Sequence, residues 1–392
     1  MEEFLDRYWE QGPLVVERDE PGRFADLLSE EDVERLVSST GIRHPAFRLV
    51  KAGAQLSVRD YTVDVPWRPT GFSGTADVAR VAAEFADGAT IVLQALHHHW
   101  QPLAVFSRAL EGELGHPVQT NAYYTPRDSQ GLAVHHDTHD VFVLQVAGRK
   151  RWLVYEPAWA LPLKQQRYGP EMGAPGDPAL DVTLTPGDTL YLPRGWLHEA
   201  LTSETDSLHL TVGVNVYTWL DAFRAALESC ADDVEFRRSP GDGEGAGELL
   251  ERLAARLSPA AVARRMRSKL IATRRPILEG QLSEVRALAD LTLESPIERR
   301  ATVIFDLEET TLSFEGKELR FPAHIEQELR FVVEAVEPFR PADIPGELDE
   351  AGRLVLVRRL VREGFLRLTS ARERVGSPPR SDGAGAESSR RT

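Results

Sequence analysis

Cysteine is nearly absent from this chain: Cys230 is the only one among 392 residues. One thiol closes no intramolecular disulfide and builds no thiolate metal site, which leaves histidine and carboxylate as the metal ligands. Lysine is scarce too. Five (Lys51, Lys150, Lys164, Lys269, Lys317) stand beside 41 arginines, so a lysine at a chemically suggestive position carries unusual weight. No run of about 18 apolar residues occurs, and the opening MEEFLDRYWEQG lacks the basic and apolar regions of a secretory signal. A soluble cytoplasmic protein is the expectation, with no membrane association. Basic residues number 46 against 61 acidic ones, a net charge of −15. A field of that sign opposes phosphate backbones and anionic lipid, so no direct nucleic-acid binding is expected.

The length suggests two or three domains of about 100–200 residues each. Residues 1 to about 60 read as short helices and connectors; Ser29 is an N-cap ahead of Glu30, Glu31 and Asp32, with Val33, Leu36 and Val37 at helical spacing. From about 90 to 217 the period becomes two. Val141-Phe-Val-Leu-Gln-Val, Trp152-Leu-Val-Tyr, Thr189-Leu-Tyr-Leu and His209-Leu-Thr-Val-Gly-Val-Asn-Val are short runs between turn residues, which predicts an all-β sandwich or jelly roll. Helical pattern returns over Asp221–Ala231 and, after a Gly/Asp-rich break from Ser239, over Glu248 to about Leu291, divided at Pro259 and Pro276. Between about 296 and 370, β-like runs (Ala301–Asp306, Leu319–Phe321) mix with helices at Ala323–Ala335 and Ala351–Glu363, an order that suggests a winged-helix-like module. From about Ala371 onward the composition predicts disorder. The boundaries read from the sequence are 1–220, 221–295, 296–370 and 371–392, in an α+β chain.

The densest chemical signal is Gly131-Leu-Ala-Val-His135-His-Asp137-Thr-His-Asp-Val-Phe. Residues i and i+2 of extended chain share a face, so His135 and Asp137 can present an imidazole and a carboxylate to one point. The segment Gly187-Asp-Thr-Leu-Tyr-Leu-Pro193-Arg-Gly195-Trp-Leu-His198 supplies a further histidine after a Pro/Gly turn. His135, Asp137 and His198 together match the facial triad of non-haem Fe(II) oxygenases. His139 shares the parity of His135 and Asp137 and is a rival ligand; His136 points to the opposite face. His97, His98 and His99 read as a surface or strand-end cluster. Lys150, fifteen residues beyond His135, is either a partner for a buried carboxylate or a solvated charge in an Arg-Lys-Arg run. Asn121 is either a second contact to that carboxylate or a strand-edge amide.

These residues resemble the JmjC-type cupin oxygenases, in particular the ribosomal-oxygenase branch whose members hydroxylate ribosomal proteins. The resemblance rests on Phe4-Leu-Asp-Arg-Tyr-Trp-Glu-Gln-Gly-Pro-Leu-Val, Asn121-Ala-Tyr-Tyr-Thr-Pro-Arg-Asp-Ser-Gln-Gly, Phe142-Val-Leu-Gln-Val-Ala-Gly-Arg-Lys-Arg-Trp, Tyr191-Leu-Pro-Arg-Gly-Trp-Leu-His198 and Ser207-Leu-His-Leu-Thr. It implies a double-stranded β-helix (jelly roll, cupin/JmjC), then a helical dimerisation region, then the winged-helix-like module. It implies that His135, Asp137 and His198 bind Fe(II) as the catalytic centre, and that Lys150 and Asn121 hold 2-oxoglutarate. The implied activity is hydroxylation of a histidine or arginine in a ribosomal protein, a basic partner suited to an acidic enzyme, by a homodimer. Two other functions compete: a non-catalytic metal-binding cupin regulator, and a small-molecule hydroxylase on the same scaffold. One departure stands out, since Gly213 occupies a place where related enzymes often carry a small hydroxyl residue. The loop Ala158–Asp181 matches nothing readable.

Overall fold

A computed structural model describes residues 2–369 apart from 67–70, 170–171, 203, 241–242 and 244. The tail expected to be disordered lies outside the described residues. The chain divides into two compact units, Met1–Leu270 and Ile271–Thr392.

The first unit contains α1 (Glu2–Arg7), β1 (Leu14–Val16), α2 (Glu30–Ser39), β2 (Phe47–Lys51), β3 (Ala54–Gln55), α3 (Val58–Tyr61), β4 (Thr62–Val65), β5 (Phe72–Ala76), α4 (Val78–Ala86), β6 (Thr90–Leu93) and α5 (Gln101–Leu114). Strands β7 (Val118–Thr125), β8 (Asp140–Gly148), β9 (Lys150–Tyr155), β10 (Leu180–Leu184), β11 (Thr189–Leu192), β12 (Leu197–Leu201) and β13 (Ser207–Val214) follow, then α6 (Trp219–Glu228) and α7 (Ala246–Ala255). Helix α8 (Pro259–Thr273) begins on the proline that the sequence marks as a break; proline is tolerated there because a first-turn N–H has no helical acceptor. At α2 the Ser29 hydroxyl accepts from Asp32 N while the Asp32 carboxylate accepts from Ser29 N, a reciprocal cap that stabilises the helix start by about 1 kcal/mol.

Eight strands form one antiparallel sheet in the order β1-β11-β8-β13-β7-β6-β2-β3, and β10-β9-β12 form a second. Strand parity decides where each side chain goes. Ala122 and Tyr124 of β7, Phe142, Leu144 and Val146 of β8 and Leu208, Leu210, Val212 and Val214 of β13 join the large core that also takes Val33, Leu36 and Leu103 from the helices. Their odd-numbered neighbours turn the other way. Val141 and Val143 meet Trp152, Val154, Leu184, Leu190 and Leu192 in a second core between the sheets. Of the odd positions on β7 and β13, Asn121, Tyr123, His209 and Thr211 line the site.

The second unit holds α9 (Gln281–Ala287), β14 (Ile297–Arg299), the meander β15 (Phe305–Glu308), β16 (Thr311–Phe314) and β17 (Lys317–Arg320), then α10 (Glu326–Glu334), α11 (Glu350–Glu363) and β18 (Leu366–Leu368), which pairs with β14. The run Ala301–Asp306 becomes strand only from Phe305. Val303 N bonds back to Arg300 O in a turn, and Val303 and Ile304 are buried by packing rather than by pairing. Among the described residues no helix is long and apolar enough to cross a membrane.

Candidate metal centre

His135 and His198 face each other across an isolated antiparallel bridge, His135 N donating to His198 O at 3.2 Å and His198 N to His135 O at 2.8 Å. The segment around His135 is extended, as the i, i+2 spacing of His135 and Asp137 requires, and meets the His198 strand at this bridge. That bridge suffices for the geometry. The ring Nδ1 of His135 lies 2.8 Å from Ala133 O and that of His198 3.0 Å from Trp196 O. Each contact fixes its imidazole as the Nδ1–H tautomer and leaves Nε2 as the free lone pair, as metal-ligating histidines require.

Asp137 completes the group. Its Oδ2 is 3.8 Å from His198 Nε2, and one ligand atom from each of the three residues falls within 4.8 Å of the others; among the described residues this is the one cluster of that kind. Burial would push the Asp137 carboxyl up, but the neighbouring imidazoles, His139 foremost, outweigh it and hold it below the ordinary carboxylate range. Burial, aided by the charge of His135, pushes His198 down to about 4, so it is neutral at neutral pH, the state that coordinates a cation. His139 lies beside Asp137 outside the cluster. His136 faces away, its Nε2 3.0 Å from Gln166 O, which ties the Ala158–Asp181 loop to the extended segment that carries His135 and Asp137.

The turn before His198 is built with equal care. Gly195 has φ +93°, and a Cβ there would stand 2.2 Å from Trp159 O, so only glycine fits. Its N–H donates to Asp137 O at 3.0 Å. Behind it, buried Asp140 accepts from Tyr191 Oη at 2.7 Å, Arg194 N at 3.1 Å and Arg194 Nη1 at 3.0 Å, while Arg194 also pairs with Glu10 at 2.5 Å. These charge-assisted bonds lock the Pro193–Trp196 turn, and with it the ring of His198.

The three residues open onto a cavity between the sheets, lined on β7 by Asn121 and Tyr123 and on β13 by His209 and Thr211, with Lys150 also in its lining. Lys150 is 3% exposed, which removes the solvated-charge reading. The hairpin that turns it inward needs Gly148, at φ +63°, since a Cβ there would lie 1.7 Å from Asp206 O. Its Nζ donates to Thr125 Oγ1 at 2.8 Å. Burial without a carboxylate beside it lowers this lysine to about 7. Such a group gains most from an anion that enters the cavity. Asn121 does less for a ligand than expected: its Oδ1 accepts from the N–H of Ala95, a non-glycine residue at φ +52°, so only the amide nitrogen remains for the cavity.

The sequence reading missed His209, Tyr123, Thr125 and Trp152 as site residues. His209 stacks on Tyr123 with ring centroids 5.0 Å apart and meets Trp152 edge-on at 5.4 Å. Burial, then the neighbouring Lys150, lowers His209 far below the ordinary histidine range. Parity with Asn121 on β7 carried the signal for Tyr123 and Thr125, but which face of β7 met the metal was not readable before the register was known.

Residues 94–222 match the family model described as JmjC domain. Among curated proteins, the bifunctional lysine-specific demethylase and histidyl-hydroxylase NO66 of Drosophila persimilis is 32% identical over 213 residues, covering 54% of this chain and 30% of that protein. Ribosomal oxygenase 1 of Gallus gallus is 32% identical over 250 residues, covering 60% of this chain and 39% of that one. The chain thus spans less than half the length of these relatives. Among solved structures, the Escherichia coli ribosomal oxygenase YcfD aligns over 94% of this chain and 98% of its own, with a TM-score of 0.56 at 18% identity. A complex of YcfD with cobalt and 2-oxoglutarate aligns with a TM-score of 0.55. At that identity the likeness establishes a shared fold.

Proposed function

We propose that the chain, whose residues 94–222 match the JmjC domain model and which is 32% identical to ribosomal oxygenases over part of their length, belongs to the ribosomal-oxygenase family and is an Fe(II)- and 2-oxoglutarate-dependent dioxygenase that hydroxylates a protein side chain. The observation that carries the reading is the pairing of a two-histidine, one-carboxylate cluster with a buried, carboxylate-free lysine in one cavity. The donor set fits iron: two imidazoles and a carboxylate, with the sole cysteine elsewhere.

In this reading His135, Asp137 and His198 hold the metal on one side and leave the cavity side open. When bound there, Fe(II) and 2-oxoglutarate supply oxidation of a substrate C–H bond by dioxygen, with succinate and carbon dioxide as coproducts. Lys150 would take the far carboxylate of 2-oxoglutarate, whose negative charge favours the lysine's ammonium form, while Thr125 keeps the ammonium aimed. Asn121 contributes its amide N–H. Val141, Val143, Leu192 and Trp152 keep the cavity dry, which strengthens the lysine–carboxylate attraction.

The substrate in this reading is a histidine or arginine of a ribosomal protein in the cytoplasm. An acidic surface favours encounter with a basic partner. A homodimer is supported by the apolar outer face of α6, where Trp219 is 68% and Leu227 54% exposed with Phe223 between them. A winged-helix-like second unit is supported by its β14–β18 pair, meander and two helices. Arg330 on α10 is held by Glu326 and Glu334 on the same helix, which favours a protein contact over a nucleic-acid one.

The test is succinate release from purified protein with Fe(II), ascorbate and 2-oxoglutarate, together with mass spectrometry of ribosomal proteins from cells with and without the gene. Added mass of one oxygen atom on one residue, dependent on the gene, is the expected result. Turnover stimulated by metabolites alone would favour the small-molecule hydroxylase, and absence of turnover the metal-binding regulator.

A further inference from the structure

His139 is a polar residue whose polarity the fold does not use. It lies on the metal side of its segment and lines the cavity with Asn121, Tyr123 and Thr211, yet it stands outside the ligand cluster. The Nδ1 atoms of His136 and His209 are likewise buried without a partner among the described residues, but His136 already bonds Gln166 O through Nε2 and His209 is packed between two aromatic rings. His139 Nδ1 is buried with no hydrogen-bond partner among the described residues.

The reason it is buried lies on β13. A Cβ at Gly213 would stand 3.1 Å from His139 Cε1 and 3.2 Å from Nδ1, so this ring edge occupies the space that a side chain at 213 would take. Glycine at 213 and histidine at 139 are one packing solution. Valine would fill the same niche without stranding a ring nitrogen, and an unsatisfied buried nitrogen is a cost. With Nδ1 sealed against β13, Nε2 is the nitrogen left for the cavity.

Resting on the oxygenase reading, we propose that the His139–Gly213 pair determines substrate choice: His139 Nε2 hydrogen-bonds the substrate side chain beside Asp137, and Gly213 makes the room for it. The substrate class this selects is a side chain with a nitrogen or oxygen near the carbon to be hydroxylated, in preference to an aliphatic one. His139 is a positioning residue for the substrate and needs no proton transfer in the reaction.

The test uses the full-length protein, the ribosomal-protein fraction of the source organism as substrate, and four variants: His139→Val, His139→Gln, Gly213→Ser and His139→Val combined with Gly213→Ser. The readout is hydroxylated protein formed per succinate released, with iron stoichiometry measured alongside. His139→Val is expected to lower that ratio about tenfold, the worth of one hydrogen bond, and His139→Gln to recover part of it. General damage to the site would lower product and succinate together and leave the ratio unmoved. In metal-free protein, Gly213→Ser is expected to lower the melting temperature, and the double variant to recover it, because the two changes share one space. An unchanged ratio in His139→Val, or additive melting temperatures, would overturn the assignment. Absence of succinate from the wild-type protein would instead overturn the oxygenase reading beneath it.

Discussion

Replacing Lys150 by methionine should make the ligand-free protein more stable and its use of 2-oxoglutarate far worse. In the fold this lysine titrates at about 7 against an ordinary 10.5, so between those values the folded chain binds fewer protons than the unfolded one. Stability then rises with pH across that window, and below it the buried ammonium is a liability. At pH 7 the liability reaches about 4 kcal/mol as an upper bound. Methionine preserves length and volume but gives up the bond to Thr125 Oγ1, which still meets Thr90 Oγ1 at 3.1 Å. A net gain of about 1–3 kcal/mol is expected, or roughly 3–8 °C in Tm. Loss of a charge-assisted contact of about 1.5–3 kcal/mol should raise the 2-oxoglutarate requirement about 10- to 150-fold, with iron stoichiometry retained. Differential scanning calorimetry without ligand and succinate production against 2-oxoglutarate concentration measure the two effects. A variant that melts lower and turns over at the wild-type requirement would refute the reasoning.

The same titration sets a pH dependence in the wild type: a carboxylate ligand must find the lysine charged, so affinity for 2-oxoglutarate should weaken as pH rises past about 7, by about tenfold per unit. A flat profile from pH 7 to 9 would contradict it. Asp137→Ala and His135→Ala should each abolish stoichiometric iron binding while leaving the circular-dichroism spectrum intact; a variant that binds one iron per chain would remove that residue from the centre. Arg194→Met strands the buried Asp140 carboxylate and should cost about 3–5 kcal/mol in urea denaturation, and a loss under 1 kcal/mol would show the turn to be held by other contacts. Gly148→Ala, forced against Asp206 O, should cost at least about 2 kcal/mol, checked in the same assay.

Periodicity made much of the fold legible. Ser29 caps its helix, Pro259 opens one, and the alternation in Val141–Val146 separates a helix-facing core from an inter-sheet core. These are local consequences of side-chain spacing. Val303 and Ile304 show the limit, because an apolar run records burial and says nothing of whether a strand lies beside it to accept its hydrogen bonds.

For the site, sequence alone determined the chemistry available: one cysteine and the spacings of His135, Asp137 and His198 leave histidine and carboxylate as the donors, and few lysines make Lys150 conspicuous. Tertiary structure decided the rest. Whether Lys150 is solvated or buried depends on a hairpin closing against Asp206; whether Asn121 serves a ligand or Ala95 depends on a loop twenty-six residues away in the chain. His139 and Gly213 are separated by more than seventy residues and meet only because β13 lies beside β8. Spacing along a chain fixes which neighbours share a face, but burial, and the partner a polar group lacks, are properties of the space between segments.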